Sequence, residues 1–549
     1  MAMISGKPSF SLTERLQGKI PFLFLALGLF LAVDAIYGRF LWNPLVFDDF
    51  YVFDGKTLQK YEAFKFTLRW FPYASFEWTE KILGPMLMWQ RLGNLILHFI
   101  TCFALFLFLR RLFGIVIRDG VGLSVDWLAF FAALIFALEP ASVYAVGYLV
   151  ERSIVMSTLF GILVLWSYLE GLEKRNSVWF LVSAVCYFLS VFSKEHAIMM
   201  PAVALAMTFL VRKPSMGWIR ELWLPFLLFS IIGILVVLKA KGVLGKPYEV
   251  YGASMIQSQK IEVDHSYPLS VITQCWLYFK YLFLWVVPDT SLMSIDMREP
   301  FARGFFSFPQ FPGLLLFLIY PAISIRLLLK GGRAGLAGFG LIFPWLLFMT
   351  ELTTVRIQES FVLYRSYLWM AGFFAILPVF FFKISARATF AILLAASIGL
   401  FPLARNRIVT FSSPLLLWKE AADHVEGRKD LPGLDRIYYN VGLSYLGIGD
   451  YGHSVEYFSK SIEISPQIYQ IWYNRAYANY FRHKFREAIP DLDHSLSISP
   501  NYADAYFLRA LTYRHLQDER SAMADFGRAC QLGKERACEK LQEAQGEGH

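Results

Sequence analysis

Residues 20–37 read IPFLFLALGLFLAVDAIY, a segment long and apolar enough to cross a lipid bilayer. Shortly after it comes an acidic pair among aromatic side chains, Phe47-Asp48-Asp49-Phe50. The pair is therefore expected at or just above the membrane face, where a carboxylate is costly unless it is solvated, paired or used in a reaction. Two interpretations remain open here: chemistry on a lipid-borne substrate, or capping of a helix or turn that follows Asn43-Pro44.

The composition predicts a membrane protein. Of 549 residues, 56% are hydrophobic and only 17% are charged, against about 25% charged in soluble proteins, and mean hydropathy is +0.46. The net charge of +9 does not indicate nucleic-acid binding, because Lys and Arg cluster at the ends of apolar runs, as cytoplasmic loops require. Arg15 and Lys19 precede the first run without a cleavage site, so it is interpreted as a retained signal anchor with a cytoplasmic N-terminus.

A change in composition near residue 405 divides the chain. Before it, residues 1–405 contain apolar runs at about 20–37, 86–109, 127–139, 153–170, 178–193, 197–211, 219–239, 270–287, 311–329, 336–352, 361–382 and 387–404. After it come a connecting segment, 406–434, and a polar region, 435–549. The predicted fold class is all-α: a polytopic bundle of membrane helices followed by a soluble helical domain.

The distribution of basic residues predicts the topology. Loops with clustered Lys and Arg are assigned to the cytoplasm: Arg110, Arg111 and Arg118; Lys174 and Arg175; Arg212, Lys213 and Arg220; Arg326, Lys330 and Arg333; Lys383 and Arg387. These assignments agree only if residues 240–300 make no net crossing, and 270–287, which holds Lys280, is the segment expected to be re-entrant, interfacial or broken. About eleven crossings then place the acidic loop and the C-terminal region together on the non-cytoplasmic side.

The first external loop, about residues 38–85, is rich in aromatic residues such as Trp70 and Trp78. Such residues settle at the membrane interface, so part of this loop is expected to lie flat on the surface and to roof the acidic pair.

A period of 34 residues after residue 434 indicates three tetratricopeptide repeats, with first positions at Asp435, Tyr469 and Ala503. Small or apolar residues recur in register, and residues 535–545 are expected to cap the last repeat. The array is interpreted either as a peptide-binding surface or as a stabilising buttress. Cys530 and Cys538 lie close enough in sequence to pair across a turn, but two unpaired thiols are favoured.

Three ionisable groups accompany the acidic pair on the predicted external side: Glu151-Arg152, Lys194-Glu195-His196, and Glu359 with Tyr364 and Arg365. Together they suggest a site in which Arg and Lys bind phosphate while a carboxylate acts as base. The alternative is structural, with each cation neutralised by a neighbour or extended toward the interface. The sequence carries no Walker-type phosphate loop, no HExxH and no GxSxG motif, so nucleotide hydrolysis, metalloproteolysis and serine esterase chemistry lack support.

The arrangement resembles the transmembrane and tetratricopeptide-repeat-containing O-mannosyltransferases and their bacterial relatives among the GT-C glycosyltransferases. The matching segments, in order, are Val46-Phe47-Asp48-Asp49, Asn94 to His98, Glu139-Pro140 through Val150-Glu151-Arg152, Ser193-Lys194-Glu195-His196, and Glu359 through Tyr364-Arg365-Ser366. The chain departs from the family at Glu139, where a His precedes the proline, and in having only three clear repeats.

The resemblance implies transfer of a sugar from a polyprenyl-phosphate donor, undecaprenyl phosphate if bacterial, to a hydroxyl of a protein recruited by the repeats. It implies that Asp48 is the base, that Asp49 orients Asp48 or the acceptor, and that Arg152, Lys194 and Arg365 hold the donor phosphate. Glu195, His196, Glu359 and Tyr364 complete the expected substrate-binding set. No cofactor or metal site is expected, although a metal requirement stays open. The expected location is a bacterial inner membrane, with the active site and the repeats facing the periplasm, and an endoplasmic-reticulum membrane stays open as the alternative.

Two rival hypotheses remain. One is a GT-C enzyme that modifies a lipid or glycan, with the repeats binding a partner other than the substrate. The other is a non-enzymatic membrane scaffold or a transporter, for which charged pairs near the bilayer midplane are expected.

Overall fold

The protein is built from α-helices joined by short loops and single turns of 3-10 helix. The computed structural model describes residues 21–117, 122–212, 217–247, 252, 255–256, 261–428 and 430–546. Within these residues no β-strand forms, and the extended segments meet only at two isolated bridges, Pro247 with Val355 and Met297 with Phe361. The all-α prediction is confirmed for this part of the chain.

The chain divides into two compact units, Met1–Ser413 and Pro414–His549. The boundary lies inside the segment that the sequence analysis treats as a connection, because the helix that contains residue 405 continues to Thr410.

The N-terminal unit contains helices that follow the apolar runs closely. In order they are α1 Phe22–Tyr37, α2 Asp49–Val52, α3 Trp70–Leu83, α4 Leu87–Val116, α5 Val125–Leu138, α6 Pro140–Gly147, α7 Arg152–Lys174, α8 Ser177–Ser193, α9 Met200–Val211, α10 Gly217–Ala240, α11 Val263–Val286, α12 Gln310–Lys330, α13 Gly332–Phe348, α14 Ser366–Phe373, α15 Leu377–Phe380 and α16 Ala386–Thr410. The run predicted at 361–382 is not one straight helix but α14, a 3-10 turn at Phe374–Ile376, and α15.

Nine helical segments among the described residues are long and apolar enough to cross a membrane, or ten if the bent pair α5–α6 counts as one span. Helix α8 and the segment Glu195–Val211 are apolar but shorter. The eleven crossings expected from the sequence count both of these shorter helices and leave out α11.

Helices α5 and α6 meet at a bend of 61°. Glu139 is extended at the junction and Pro140 occupies the first position of α6, where its missing N–H interrupts no helical hydrogen bond. The bend turns α6 across the end of the bundle and brings Gly147 and Tyr148 toward the acidic loop.

The loops predicted to be cytoplasmic gather at one end of the bundle. Arg111 and Lys174 both pair with Glu170, at 2.8 and 2.9 Å, and Arg212 donates to the carbonyl of Leu172. Arg118, Lys213, Arg15 and Lys19 lie outside the described residues, as does the side chain of Arg220. The acidic loop and the three ionisable groups lie at the opposite end.

The stretch between α10 and α12 starts and finishes at the end of the bundle that carries the acidic loop. After α10, the backbone N–H of Gly245 donates to the carbonyl of Thr353 at 2.8 Å. Helix α12 is antiparallel to α13, with Tyr320 donating to Leu341 and Trp345 donating to Phe317, so Gln310 begins level with the end of α13. This return is the geometry that an absence of net crossing requires.

The C-terminal unit stacks antiparallel helix pairs. Its helices are α17 Pro414–His424, α18 Leu434–Gly447, α19 Tyr451–Ile464, α20 Tyr469–Phe481, α21 Phe485–Ile498, α22 Ala503–His515, α23 Glu519–Gln531 and α24 Glu535–Gly546. Helices α18, α20 and α22 begin near the predicted first positions of the repeats. The second and third repeats contain equivalent ion pairs, Arg475 with Asp491 and Arg509 with Asp525, whose partners are 16 residues apart in sequence.

Cys530 and Cys538 form a disulfide across the turn between α23 and α24. The preference for two unpaired thiols was therefore wrong. The turn at Gly533, which has φ +90°, brings the two Cα atoms to 4.9 Å, within the range that a disulfide spans.

We expect the replacement of Phe458 by Ala to destabilise the C-terminal unit by about 3–5 kcal/mol, because a fully buried aromatic ring leaves a cavity. Phe458 packs directly against Gly442, where a methyl group would clash with its ring. The midpoint of thermal unfolding, detected by limited proteolysis of the C-terminal unit, measures the effect. Ile448→Ala, at an exposed position, is the control, and equal midpoints for the two variants would contradict this packing.

Candidate functional site

Asp49 fastens the acidic loop to the bundle. Its carboxylate is fully buried and accepts the backbone N–H of Val150 at 3.0 Å and that of Val46 at 3.2 Å. Burial raises the pKa of Asp49 to about 7, while Arg91 and the two N–H groups act in the opposite direction. Asp49 therefore joins two segments that are about 100 residues apart in sequence.

Asp48 has a different environment from its neighbour. It is exposed at the N-terminus of α2, and its backbone N–H donates to the hydroxyl of Tyr148 at 3.1 Å. Phe47 precedes it in the left-handed region, with φ +55°, which costs energy for a bulky residue and often accompanies functional sites. The loop thus presents one carboxylate to the outside on a backbone held by the other.

Arg91, near the start of α4, holds the base of this loop. Its guanidinium is buried and donates to the carbonyls of Asn43, at 2.9 Å, Pro44 and Gly147, at 3.0 Å. These contacts tie the segment after α1 to the end of α6. The capping interpretation holds in part for Asp49, which accepts the N–H of Val46 in the turn before α2, whereas the side chain of Asp48 makes no cap hydrogen bond to that helix.

Arg152 lies inside the protein, 2% exposed, and its guanidinium contacts protein groups. It donates to Asn94 Oδ1 at 2.7 Å, to Ser75 Oγ at 3.1 Å and to the carbonyl of Gln90 at 2.6 Å, and it lies 3.8 Å from the Phe76 ring centroid. This arrangement joins α3, α4 and α7. It favours a structural role for Arg152 over contact with a donor phosphate.

Glu151 and Lys194 form a buried ion pair. The Nζ of Lys194 lies 2.9 Å from one Glu151 carboxylate oxygen and 3.2 Å from the other, and 3.4 Å from Ser153 Oγ. The pair joins the start of α7 to the end of α8. Two of the three sequence groups thus meet directly.

Glu195 faces the loop between α1 and α4 and pairs with Arg69 through both carboxylate oxygens, one at 3.0 Å. Both side chains are about one-third exposed. The backbone N–H of Arg69 also donates to Phe192, so the residue before α3 is held twice against the end of α8. Glu195 thereby positions the aromatic loop.

His196 and Arg365 share a partner that the sequence analysis did not identify, Glu351. His196 Nε2 lies 2.8 Å from one carboxylate oxygen of Glu351, and Arg365 Nη1 lies 3.0 Å from the other. Arg356 Nε lies 3.3 Å from that second oxygen. All four side chains are buried.

Tyr364 stands between these pairs. Its hydroxyl donates to Glu359 at 3.3 Å, and the same Glu359 oxygen accepts from Arg365 at 3.0 Å. Its ring centroid is 5.7 Å from Lys194 Nζ and 5.9 Å from the ring of Tyr148, which holds Asp48. Tyr364 therefore connects the ion pairs to the acidic loop.

The resulting ion cluster contains four cationic and four anionic side chains: Arg69, Lys194, Arg356, Arg365, Glu151, Glu195, Glu351 and Glu359. His196 adds a ring that donates to Glu351 when neutral. A balanced cluster is what burial demands, since an unpaired charge in the interior is expensive.

The structure brings together every sequence-predicted site residue except Arg152, which lies nearby in its own set of contacts. Sequence reasoning missed Glu351, Arg356, Arg69 and Tyr148. Glu351 lies at the end of an apolar run, where an acidic residue is itself a signal. Among the described residues, no three His, Cys, Asp or Glu side chains are grouped as metal ligands.

The C-terminal unit offers a surface of a different kind. The first helices of neighbouring repeats contact one another through tyrosine side chains. Asn474 of α20 donates to Tyr439 of α18 at 2.9 Å, and Tyr480 of α20 lies 3.1 Å from His515 Nε2 of α22. Tyr477 packs at 4.8 Å from the exposed ring of Phe481. First helices line the concave face of such arrays, so this face is rich in aromatic groups.

Residues 435–468 and 503–532 match the family model of the tetratricopeptide repeat. The C-terminal unit thus contains tetratricopeptide repeats, a class of module that binds peptide or protein partners. No curated protein sequence matches the chain.

Solved structures similar to this chain include the first repeat domain of Spaghetti (RPAP3) bound to an HSP90 peptide, which is 23% identical and aligns over 21% of this chain and 94% of that chain, with a TM-score of 0.20. A crystal structure of MamA is 19% identical over 24% of this chain and 77% of that chain, with a TM-score of 0.22. YrrB is 15% identical over 26% of this chain and 83% of that chain, with a TM-score of 0.21.

We expect the stability of Asp49→Asn relative to wild type to depend on pH. The folded protein holds a proton on Asp49 up to about pH 7, whereas the ordinary value is 3.8, so acidification from pH 8 to 5 should stabilise the wild type. The gain is about 1.4 kcal/mol per pH unit below 7, and the Asn variant lacks it.

Thermal unfolding of both proteins at pH 8, 7, 6 and 5 measures the difference. Asp54→Asn, at an exposed position in the same loop, controls for the general effect of a lost carboxylate. A gap between wild type and Asp49→Asn that is constant with pH, or that moves in favour of the variant, would contradict the burial of an ionisable Asp49.

Proposed function

We propose that the N-terminal unit is a membrane glycosyltransferase that moves a sugar from a polyprenyl-phosphate-linked donor to a hydroxyl of a protein acceptor on the non-cytoplasmic side. The observation that carries the proposal is the ion cluster. Segments as far apart as Asp48 and Arg365 meet at one end of the helix bundle, and the exposed carboxylate of Asp48 lies at its edge. Charges clustered at one end fit surface chemistry on a lipid better than transport through the midplane.

Asp48 is the proposed general base. Its carboxylate is exposed, whereas its backbone is held by Tyr148 and by the buried anchor of Asp49. It takes the proton of the acceptor hydroxyl as the new bond forms at the anomeric carbon. The bond from that carbon to the donor phosphate breaks, and the phosphate leaves with the electron pair.

Lys194 and Arg365 are the proposed contacts for the departing phosphate, but neither carries an uncompensated charge. Lys194 pairs with Glu151, and Arg365 pairs with Glu351 and Glu359. A donor phosphate at this site replaces a carboxylate as partner, and Glu359, the most accessible of these carboxylates, is the one that can yield. A preorganised cation of this kind favours the leaving group once its charge develops.

Arg152 has a positioning role in this proposal. By holding Ser75, Asn94 and Gln90 it fixes α3 over the start of α7, next to Glu151. Gly93 leaves room for its guanidinium, because a methyl group there would come within 2.9 Å of Nη2.

The repeats are proposed to recruit the acceptor polypeptide. Their first helices carry an aromatic face, and arrays of this period bind extended or helical peptides. The Cys530–Cys538 disulfide supports an oxidising compartment for this unit, such as the periplasm of a bacterial cell.

Asp48→Asn is expected to reduce sugar transfer by about 10²–10⁴-fold, because it removes the base while keeping the shape of the side chain. Transfer from a polyprenyl-phosphate sugar by the purified full-length variant is the measurement, with donor affinity measured in parallel. Asp54→Asn should transfer at the wild-type rate. Near wild-type transfer by Asp48→Asn would exclude Asp48 as the base.

Truncation after Ser413 is expected to preserve transfer to a small acceptor or donor hydrolysis, and to reduce transfer to the native protein acceptor strongly. The cut follows the boundary between the two units. Tyr477→Ala in the full chain removes one aromatic group of α20. Because Tyr477 also packs against the core of the repeats, its thermal midpoint is measured beside transfer. Full transfer to the native acceptor by the truncated protein would favour a lipid or glycan acceptor instead.

A further inference from the structure

A cavity of about 470 Å3 opens between the first and last long helices of the N-terminal unit. It is lined by Asp34, Ala35 and Gly38 at the end of α1, by Arg39, and by Phe401 and Arg405 on α16. Gly38 leaves room for the Asp34 carboxylate at the cavity wall, because a methyl group there would overlap it. The cavity lies at the same end of the bundle as the ion cluster, but its residues do not belong to that cluster.

The charges around the cavity are not neutralised as those of the ion cluster are. Within the described part of the chain, no ion pair or side-chain hydrogen bond engages Arg39, Arg405 or Asp34; Arg405 only lies 6.0 Å from the Phe40 ring centroid. Two cations against one anion leave a net positive charge. Arg39 is exposed and Arg405 is half-buried, and arginines at the non-cytoplasmic ends of spans run against the usual charge asymmetry. This indicates that the two residues serve another purpose.

Next to the cavity, toward the middle of α1 and α16, the helix surfaces are apolar and exposed. Leu27 and Leu31 project from α1, and Leu394 and Ile398 project from α16, on the helix turns that lead away from the charged residues. A ligand that fits both features has an anionic head and a long apolar tail.

We propose that this cavity binds the phosphate of an anionic phospholipid of the surrounding bilayer, with Arg39 and Arg405 as its contacts and the acyl chains along α1 and α16. The site goes beyond the proposed transferase activity and rests only on the placement of the helices in a membrane. By bridging two spans at opposite ends of the unit's sequence, the lipid holds the start of the acidic loop against α16. Asp34 limits the affinity by repelling the phosphate.

Lipid binding to the detergent-purified full chain tests the proposal, by native mass spectrometry and by the shift of the thermal midpoint. Phosphatidylglycerol should bind about fivefold more tightly than phosphatidylcholine, since one net arginine near the interface contributes about that factor. The double variant Arg39→Gln, Arg405→Gln should lose this preference. Arg303→Gln, an exposed arginine on the loop before α12, should keep it.

Asp34→Asn provides the opposite test and does not require the double variant to fold. It should bind phosphatidylglycerol several-fold more tightly than wild type, with no change for phosphatidylcholine. Equal binding of the two lipids by the wild type, a preference that survives in the double variant, or an unchanged preference in Asp34→Asn would each overturn the proposal.

A second arm distinguishes a bilayer lipid from the glycosyl donor. Polyprenyl phosphate at equal concentration should not displace phosphatidylglycerol, and donor affinity should be the same in wild type and double variant. Displacement together with a loss of donor affinity would assign the cavity to the donor and overturn the proposal. All these readouts are independent of sugar transfer, so an inactive transferase leaves the result interpretable.

Discussion

The N-terminal unit depends on one buried carboxylate, that of Glu351. It lies at the end of α13, 1% exposed, and is held by His196 on one oxygen and by Arg365 and Arg356 on the other. Removing one partner of a buried pair costs about 3–5 kcal/mol, because the remaining charge is left uncompensated. The junction before α9, the end of α13 and the start of α14 must therefore meet at this point.

The same constraint shapes the proposed chemistry. Because the cations of the cluster are paired with carboxylates, the donor phosphate of the proposed reaction has to compete with those carboxylates for them. The ring of Tyr364 packs against Tyr148, whose hydroxyl accepts the backbone N–H of Asp48. Asp49 adds a second contact to the same segment by accepting the N–H of Val150. Asp48 remains exposed on a backbone that Arg91 and the segment around Tyr148 and Val150 hold in place.

The sequence predicted the helices and the repeats because both depend on local periodicity. Apolar runs set the positions of the long helices, and the 34-residue register set α18, α20 and α22. It missed Glu351 and Arg69 because the partner of a buried charge is chosen by the fold and not by neighbours in sequence. It assigned Arg152 to phosphate since residue type alone does not show that Asn94, Ser75 and Gln90 occupy its donors. The expectation of two unpaired thiols was wrong because pairing depends on the backbone turn at Gly533, which brings Cys530 and Cys538 together.

In the proposed reaction, a lipid-linked sugar phosphate reaches the edge of the ion cluster beside Asp48. Photocrosslinking of the full-length protein with a photoreactive polyprenyl-phosphate sugar, followed by mass spectrometry of the labelled peptides, tests it most directly. Labels are expected within residues 47–53 and 359–366, and an excess of unmodified donor should abolish them. Labelling confined to the opposite end of the bundle, near Arg111 and Lys174, or no competable label, would contradict it.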